Sequence, residues 1–382
     1  MRLPEETSST VLEAVLDSPE RFVSSRVAVL DRNEKPIGTT VPITAGNVTV
    51  DAAGAVTRSA ELTAIDPRRV LGFDAGSPGD GALYADRMIQ IDYGVADASL
   101  VFHWTPIFRG PVVRFDRSHP EVTIAAQGKE SLGLAPNLPL FKGQALNLPK
   151  GTRVDVALRR IAAAMGERNL AIPQIPKRIK ERVSIGRTKE PWATLRKIAA
   201  DHGGYQAFYD GAGFLRVRQT PPRPVWIFDA EILTFPAVTY DLGGEFRNVV
   251  RVVGKPKSGK AAAPPTYTAE PPPKDPLSPQ SLARNGVPRF IAEYVEVEEA
   301  EGPEVRRIAE TMLARRMRQS VSVTFDALTV PGLEEADPCS VILPGEESPV
   351  SFTAATFSIS LGVDQMTIGQ TRTVHVRKVA SR

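Results

Sequence analysis

The segment with the clearest chemical pattern is GKPKSGK, at residues 254–260, which matches G-x-x-x-x-G-K. In nucleotide-binding proteins this pattern forms a loop whose backbone N–H groups and lysine hold phosphates at the start of a helix. Here the next residue is Ala261, so the hydroxyl that would ligate magnesium is missing, and the prolines of the following AAAPP oppose a helix. We therefore expect no nucleotide or other cofactor to bind this segment.

The spacing of histidine and cysteine predicts neither a metal site nor a nucleophile. The single cysteine, Cys339, excludes a disulfide within the chain and a CxxC zinc site, and beside Pro338 we expect it to be a small, partly buried hydrophobic residue. We expect His103 to pack beside Trp104 in a strand, and His202 to complement the dipole at a helix C-terminus. No HxH or HxxxH spacing relates the four histidines, which are His103, His119, His202 and His375.

Two groups of charged residues could also do chemistry. Glu334, Glu335 and Asp337 could form an acid/base pair or a calcium site, but turn chemistry between two strands is the favoured interpretation. The basic run PKRIKER at 176–182 could touch nucleic acid. It has no interleaved aromatic residue, so a solvated connector between helices is favoured. No catalytic, cofactor-binding or metal-binding residue is assigned from the sequence.

The composition places these residues in an ordinary globular protein. The 382 residues are 42% hydrophobic and 24% charged, which is compatible with two to four domains. The net charge of +3 gives no field strong enough to indicate a DNA-binding or membrane-surface protein. The N-terminus has no apolar signal-peptide core, and no window reaches about 18 apolar residues. We expect a protein made in the cytoplasm and not inserted in a membrane.

The spacing of apolar residues divides the first 235 residues into three regions. Residues 1–19 form an arm with a predicted helix at 7–18. From residue 20 to about 135, apolar and polar residues alternate through six to eight short segments, which predicts a small antiparallel barrel or sandwich. Residues 136–235 predict a mixed α/β domain, with helices at about 153–165 and 191–202 and a hairpin at 205–218.

A second strand-rich region follows at 236–377. Nine prolines among the 35 residues of 254–288 predict an extended, partly mobile loop. A helix at about 303–318 follows, and its apolar stripe consists of Val305, Ile308, Ala309, Met312 and Leu313. Together these regions predict an α+β protein that is mainly β, with two β domains and a smaller α/β domain between them.

Several segments occur in the same order as in a known family. Near the front they are SSRVAVLD, VPITAGNVTVDA and TRSAELTAID, then MIQIDYGV and HWTPIFRGPVVRF. They continue with PWATLRKIAADHGGYQAFYDGAGFLRVRQTP, FRNVVRVVG, the helix at 303–318 and TVPGLEEADPCSVI. Over nearly its whole length the chain resembles the minor tail proteins that form the hub at the tip of siphophage tails, especially in actinobacterial phages. That family often has Gly-Asp where this chain has Ala336–Asp337.

The resemblance implies a baseplate-hub fold, with two tube-type antiparallel β-barrels at 20–135 and 236–377 and the α/β domain as an insert. It implies a homotrimer whose six barrels match the six-fold tail tube and whose channel is gated for DNA ejection. The implied partners are the distal tail or tail tube protein, the tape measure protein and receptor-binding or central fibre tip proteins. DNA would be a partner only in transit through the lumen. The implied location is the virion tail tip, assembled in the host cytoplasm, and the implied role is structural rather than enzymatic.

Two alternatives stay open at this point. One is a tail-associated cell-wall-degrading enzyme, although we expect no room for an appended catalytic domain after the last predicted strand. The other is a β-rich binding protein from a cell rather than a virion.

Overall fold

The structure is a computed structural model of the chain. It describes residues 21–31, 33–67, 71, 83, 87–134, 145–186, 189–202, 204–229, 232–241, 246–254, 264–297, 302–317, 320–342 and 349–369, with the backbone alone at 39–40, 234–241, 314–315, 320–323 and 350. The predicted arm at 1–19 with its helix at 7–18, and His375, lie outside these residues.

The described residues form 22 strands and three α-helices. The strands in the first half are β1 (Val23–Leu30), β2 (Pro36–Val41), β3 (Ile43–Asp51), β4 (Arg58–Ile65), β5 (Met88–Ala96), β6 (Phe102–Ser118), β7 (Glu121–Gln127), β8 (Leu146–Leu148), β9 (Leu170–Ala171) and β10 (Val183–Ile185). Those in the second half are β11 (Tyr205–Tyr209), β12 (Leu215–Gln219), β13 (Trp226–Phe228), β14 (Leu233–Asp241), β15 (Val249–Gly254), β16 (Thr266–Ala269), β17 (Ala292–Val297), β18 (Ser320–Ala327), β19 (Asp337–Val341), β20 (Val350–Ala354), β21 (Thr356–Ser360) and β22 (Met366–Gly369). The helices are α1 (Val154–Ala164), α2 (Pro191–Asp201) and α3 (Gly302–Arg316).

The chain folds as two compact units. Unit 1 takes its described residues from Met1–Ala237 and Val323–Thr371, and unit 2 takes them from Val238–Ser322.

The largest sheet has eleven strands, in the order β14-β18-β22-β21-β3-β4-β7-β6-β5-β1-β2. Its strands alternate inward and outward side chains, as in β4, where Ala60, Leu62 and Ala64 are buried and Glu61 is exposed. Full burial of a side chain such as Leu62 contributes about 1.5–3 kcal/mol. The 17-residue strand β6 pairs with β5 along its first half and with β7 along its second. One strand thereby joins the two parts of the sheet.

A mixed α/β layer lies in the same unit. In α1 the buried residues Val154, Leu158 and Ile161 recur at helical spacing, and Gly166 follows the helix with a φ of +84°. Proline at the first position starts α2, whose Trp192 and Leu195 are fully buried. Both helices share a core with the antiparallel hairpin β11–β12. The two helices and the hairpin predicted from the sequence are therefore present.

Unit 2 contains a three-stranded sheet of order β16-β15-β17, with α3 packed on it. The apolar stripe of α3 provides Val305, Ala309 and Leu313 to this core, as predicted. Because β16 is an edge strand within the predicted proline-rich loop at 254–288, part of that loop is regular structure. Asn248, fully buried, donates to the carbonyls of Leu277 and Arg289 and so fastens a further part of it.

The architecture confirms a mainly β protein with a smaller helical component. The two strand-rich regions meet in one sheet, because β3 of the first pairs with β21 of the second. Among the described strands this sheet does not close on itself, so two closed barrels are not seen. The division into domains at residues 20, 136 and 236 stays a prediction. None of the three described helices has the length and hydropathy needed to cross a membrane.

Candidate functional site

The three carboxylates singled out in the sequence lie in or next to the turn that joins β18 to β19. The Asp337 carboxylate accepts a hydrogen bond from the backbone N–H of Glu334 at 2.9 Å, and the Asp337 N–H donates to the Glu334 carbonyl. Between them Ala336 has a φ of +56°, in the left-handed region. The favoured interpretation, turn chemistry, is therefore confirmed for Asp337.

Glu334 fastens this turn to three other segments. Its Oε2 pairs with the buried guanidinium of Arg58 at the start of β4, and Arg58 also donates to the carbonyl of Ile107 in β6. Its Oε1 accepts a hydrogen bond from the N–H of Gly211 at 3.1 Å. A Cβ at Gly211 would lie only 2.2 Å from the carbonyl oxygen of Pro106, so the loop between β11 and β12 can approach β6 only with glycine.

Two further glutamates, Glu130 and Glu335, lie beside Glu334 and Arg58, and each has one carboxylate oxygen without a hydrogen-bond donor among the described residues. Glu130 is fully buried, and its Oε1 accepts from the Thr57 hydroxyl at 2.6 Å. The Oε2 atoms of Glu130 and Glu335 are buried without a hydrogen-bond donor in the described part of the chain. Burial raises the pKa of Glu335 to about 7, against the opposing effect of Thr57, and the nearby Glu130 raises it further. We name Glu130, Glu334 and Glu335 the glutamate cluster.

Burial also raises the pKa of the other two members of the cluster, and in each case a nearby group acts to lower it. Burial raises the pKa of Glu334 to about 7, although the Arg58 guanidinium acts in the opposite direction. Burial also raises the pKa of Glu130 above its usual range, against the hydrogen bond from Thr57. Carboxyl groups that titrate near neutral pH are used as general acids and bases in enzymes. Their surroundings therefore decide whether they could do such chemistry here.

A cavity of about 580 Å³ lies next to the turn. The residues that line it include Thr105, Pro106, Phe214, Trp226, Val330 and Leu333, together with three carboxylates, Asp210, Glu334 and Asp337. Asp337 pairs with Arg218 at 2.5 Å, and Asp210 pairs with Arg216 and accepts from the N–H of Phe214. Both oxygens of each of these three carboxylates are therefore bonded within the protein. These bonds fix the orientation of all three carboxylates.

A second buried charge group lies in the same unit, around Lys129. This lysine is 1% exposed, and its ammonium group lies 2.5 Å from Glu34 Oε1, 2.7 Å from Glu167 Oε2 and 3.2 Å from the Gly213 carbonyl oxygen. It also lies 5.6 Å from the centre of the Tyr209 ring, within range of a cation–π contact. Its three N–H donors thus have three oxygen acceptors. We name Lys129, Glu34 and Glu167 the lysine cluster.

Glu34 connects this cluster to the turn between β1 and β2. It has a φ of +62°, which is unusual for a residue with a Cβ. Its second oxygen accepts from Arg109 at 3.2 Å and from the Asn169 side chain at 2.9 Å. A strained backbone is kept where surrounding contacts over-determine it, and here one carboxylate joins the β1–β2 turn to β6 and to the α/β layer.

The remaining candidates from the sequence do not converge on a site. His103 pairs with Asp97 at 3.0 Å, and His202 Nδ1 donates to the Ile198 carbonyl at the end of α2. Cys339 is fully buried, which raises the pKa of its thiol. Of GKPKSGK only Gly254, the last residue of β15, is described. The described residues contain no group of three or more histidine, cysteine, aspartate or glutamate side chains arranged to hold a metal ion.

The arrangement therefore acts as a joint between parts of unit 1. The sequence did not indicate Arg58, Lys129, Glu34 or Arg218, which supply most of its bonds. One local pattern could have found Arg58, because it shares the inward phase of Ala60 and Leu62 along β4. No local pattern marks the others, since their partners are distant along the chain.

Comparison with known proteins bears on what such a molecule is part of. No protein-family model matches the sequence, and no curated protein matches it. Solved structures do match. A tail protein from Neisseria meningitidis MC58 is 14% identical with a TM-score of 0.59, and the match covers 91% of this chain and 96% of that one. The 43 kDa tail protein of prophage MuSo2 from Shewanella oneidensis is 10% identical with a TM-score of 0.60, covering 91% of this chain and 97% of that one.

A third similar structure comes from another kind of assembly. It belongs to the half-lidded PdpA–VgrG complex of Francisella, is 8% identical with a TM-score of 0.55, and is matched over 92% of this chain and 58% of that one. At such low identities the likeness concerns the fold. The predicted resemblance to phage tail proteins is confirmed at that level, and this chain has the fold of phage tail proteins.

Proposed function

We propose that this protein is a structural component of a phage tail tip, the hub that joins the tail tube to the tip proteins. In this proposal it is a homotrimer, and its two β regions are tube-type barrel domains. Its partners are the distal tail or tail tube protein, the tape measure protein and the receptor-binding or central fibre proteins. It gates the channel through which DNA is ejected. It acts by binding through extended surfaces, not by catalysis.

The observation that carries this proposal is the extent of the shared fold. The match to two phage tail proteins covers 91% of this chain and at least 96% of each of them. The match extends over the whole architecture rather than one domain, and by analogy of fold it supports a similar role. Agreement across both units and both strand-rich regions therefore supports the same kind of role.

The ion pairs and buried clusters of unit 1 are also compatible with a rigid structural protein. The carboxylates that line the cavity are each bonded to an arginine, and the two buried clusters fix turns between β segments and the α/β layer. A hub transmits force between tube and tip, so its parts must keep one geometry. Bonds that join segments far apart in the sequence serve that purpose better than a mobile pocket would.

The test of the proposal is to locate the protein in assembled particles. We expect mass spectrometry of purified virions to detect it, and antibody labelling in electron microscopy to place it at the tail tip. Disruption of its gene should give particles that lack complete tails, and a plasmid copy should restore them. Virions that contain no such protein, or a purified chain that stays monomeric and never enters tail assemblies, would overturn the proposal.

A further inference from the structure

The basic run at 176–182 does not lie alone in solvent, because it runs antiparallel to residues 147–153. The N–H of Ile179 donates to the Thr152 carbonyl at 2.9 Å, and the N–H of Val154 donates to the Lys177 carbonyl at 2.9 Å. These bonds flank the paired residues Arg153 and Arg178. Ile179 is buried beneath the pair. We name residues 147–153 and 176–182 the basic ribbon.

The pairing brings two sets of positive charges together along one ribbon. The first strand of the ribbon carries Lys150 and Arg153, and the second carries Lys177, Arg178, Lys180 and Arg182. All of these except Arg153 are exposed, and Glu181 is the single acidic residue of the ribbon. Arg153 lies opposite Arg178, but its charge is paired with Asp155 at 2.7 Å. The remaining positive charges of the ribbon are therefore the exposed ones, and like charges so close together repel one another.

Within residues 145–186, little neutralises this charge. In residues 145–186 nine basic residues stand against three acidic ones. Two of the acids are buried, since Asp155 pairs with Arg153 and Glu167 with Lys129. Arg178 and Arg182 donate instead to neutral oxygens, the Gly151 carbonyl and the Asn147 side chain. Such bonds hold each guanidinium in place without cancelling its charge.

The chemistry of the surface discriminates between partners. Residues 145–186 contain no phenylalanine, tyrosine, tryptophan or histidine, so this segment offers no aromatic ring for unpaired bases to stack on. The large hydrophobic residues that are exposed in the described chain include none from this segment. A protein interface is anchored by buried apolar and aromatic side chains, whereas an interface with a nucleic-acid backbone is polar and positive. The surface therefore suits a duplex phosphate backbone better than an acidic protein.

We propose that the basic ribbon binds the phosphate backbone of duplex DNA without regard to sequence. This inference deepens the proposed function and rests on it, because duplex DNA is what passes through a tail. Contacts of this kind are weak, with dissociation constants of about 10⁻⁴–10⁻⁶ M at physiological salt, and they exchange quickly. A weak, sliding contact would guide DNA without holding it.

The binding of a labelled duplex of roughly 30 base pairs to the full chain tests this, measured by fluorescence anisotropy between about 50 and 200 mM salt. The informative variant is Lys177→Glu/Lys180→Glu, since neither side chain bonds a described residue. The matched control is Lys274→Glu/Arg284→Glu, which changes the net charge equally at two exposed positions of unit 2. Circular dichroism checks that both variants fold.

We expect saturable binding whose log–log salt slope is about −3.5 to −5.5, as contacts to four to six phosphates would give. The ribbon variant should bind at least about tenfold more weakly, with a slope smaller in magnitude by about two, and the control should match the original chain. Absent duplex binding at low salt, or equal losses in both variants, would overturn the inference. So would ribbon-dependent binding of labelled polyglutamate without binding of duplex, which would indicate an acidic protein partner. A chain that binds no duplex yet enters tail tips would overturn this inference alone.

Discussion

The lysine cluster and the glutamate cluster are both buried in unit 1, yet they satisfy their charges in opposite ways. Around Lys129 each carboxylate oxygen of Glu34 and Glu167 has a donor, from the ammonium, from Arg109, from Asn169 or from backbone N–H groups. In the glutamate cluster one oxygen of Glu130 and one of Glu335 have no donor among the described residues. In the lysine cluster every carboxylate oxygen has a donor, whereas the glutamate cluster has fewer donors than carboxylate oxygens.

This difference indicates what holds each turn in place. The β1–β2 turn is held by a buried cation, so its attachment depends on Lys129. The turn before β19 is attached through the pair of Glu334 with Arg58. Beside it, burial favours the neutral form of Glu130 and Glu335, so the stability of this region depends on protons. Buried ion pairs are strongly destabilised by removal of one partner, whereas a buried carboxyl group is destabilised by losing its proton. The two clusters should therefore respond to different perturbations.

The largest effect is expected from Lys129→Met, which breaks the complete cluster. Methionine fills a similar volume but provides no charge, so Glu167 loses its cationic partner and Glu34 keeps Arg109 as its one cationic partner among the described residues. Removal of one partner from a buried pair costs about 3–5 kcal/mol in the free energy of unfolding. Urea denaturation followed by circular dichroism measures this loss.

The control for this variant is Arg306→Met in unit 2. Arg306 pairs with Glu310 at 2.8 Å on an exposed helix surface, so its loss should leave the urea midpoint unchanged. If Lys129→Met is as stable as the original chain, the lysine cluster does not hold the β1–β2 turn, and the contrast between the clusters fails.

The next largest effect concerns the pH dependence of the glutamate cluster. Burial raises the pKa of Glu335 to about 7 in the folded chain, above its usual value near 4.5, so the folded state binds this proton more tightly. The resulting stability is fully present below about pH 4.5 and is lost as the pH rises through about 7. The free energy of unfolding should fall by about 2–3 kcal/mol between about pH 5 and pH 8.

The variant Glu335→Gln tests whether Glu335 is responsible for this loss of stability with rising pH. Glutamine keeps the shape and cannot ionise, so the variant should lose less stability across this range and should exceed the original chain at pH 8. Glu61→Gln removes an exposed carboxylate from β4 and controls for the change in net charge. Urea midpoints at several pH values measure both variants. Parallel pH profiles for Glu335→Gln and the original chain would contradict the assignment.

The two clusters also show how far the sequence alone can predict this molecule. Local elements were accessible, because the apolar spacing and termini of α1 and α2 and the turn of the β11–β12 hairpin are encoded by neighbouring residues. The pairing of β3 with β21, which joins the two strand-rich regions, could not be predicted, because no local pattern specifies a partner so far along the chain.

The candidate site shows the same limit, because its local contacts could be predicted and its distant contacts could not. Glu334, Glu335 and Asp337 were singled out as charged turn residues, and the hydrogen bond within the turn was foreseeable. The partner of Glu334, however, is Arg58, 276 residues away. An arginine in the inward phase of a strand indicates a buried cation but not the carboxylate that meets it. Tertiary pairing of charges is thus the part that local pattern could not provide.

The smallest expected effect is a gain in stability from Ala336→Gly, in the turn next to Glu335. The φ of +56° places a residue with a Cβ in the left-handed region, which costs about 1–2 kcal/mol. Glycine removes that cost but loses more chain entropy on folding, by about 0.5–1 kcal/mol. We therefore expect a net gain of about 0.5 kcal/mol in the free energy of unfolding, measured by urea denaturation.

The matched control is Ala292→Gly in the exposed strand β17, where glycine should destabilise because the backbone there is extended. A loss of stability in both variants would mean that the turn before β19 gains nothing from glycine. A gain in Ala336→Gly alone would show that the left-handed backbone at this turn carries a cost in this chain. The gain should persist at pH 5 and pH 8 alike, because backbone strain does not titrate, and this separates it from the contribution of Glu335.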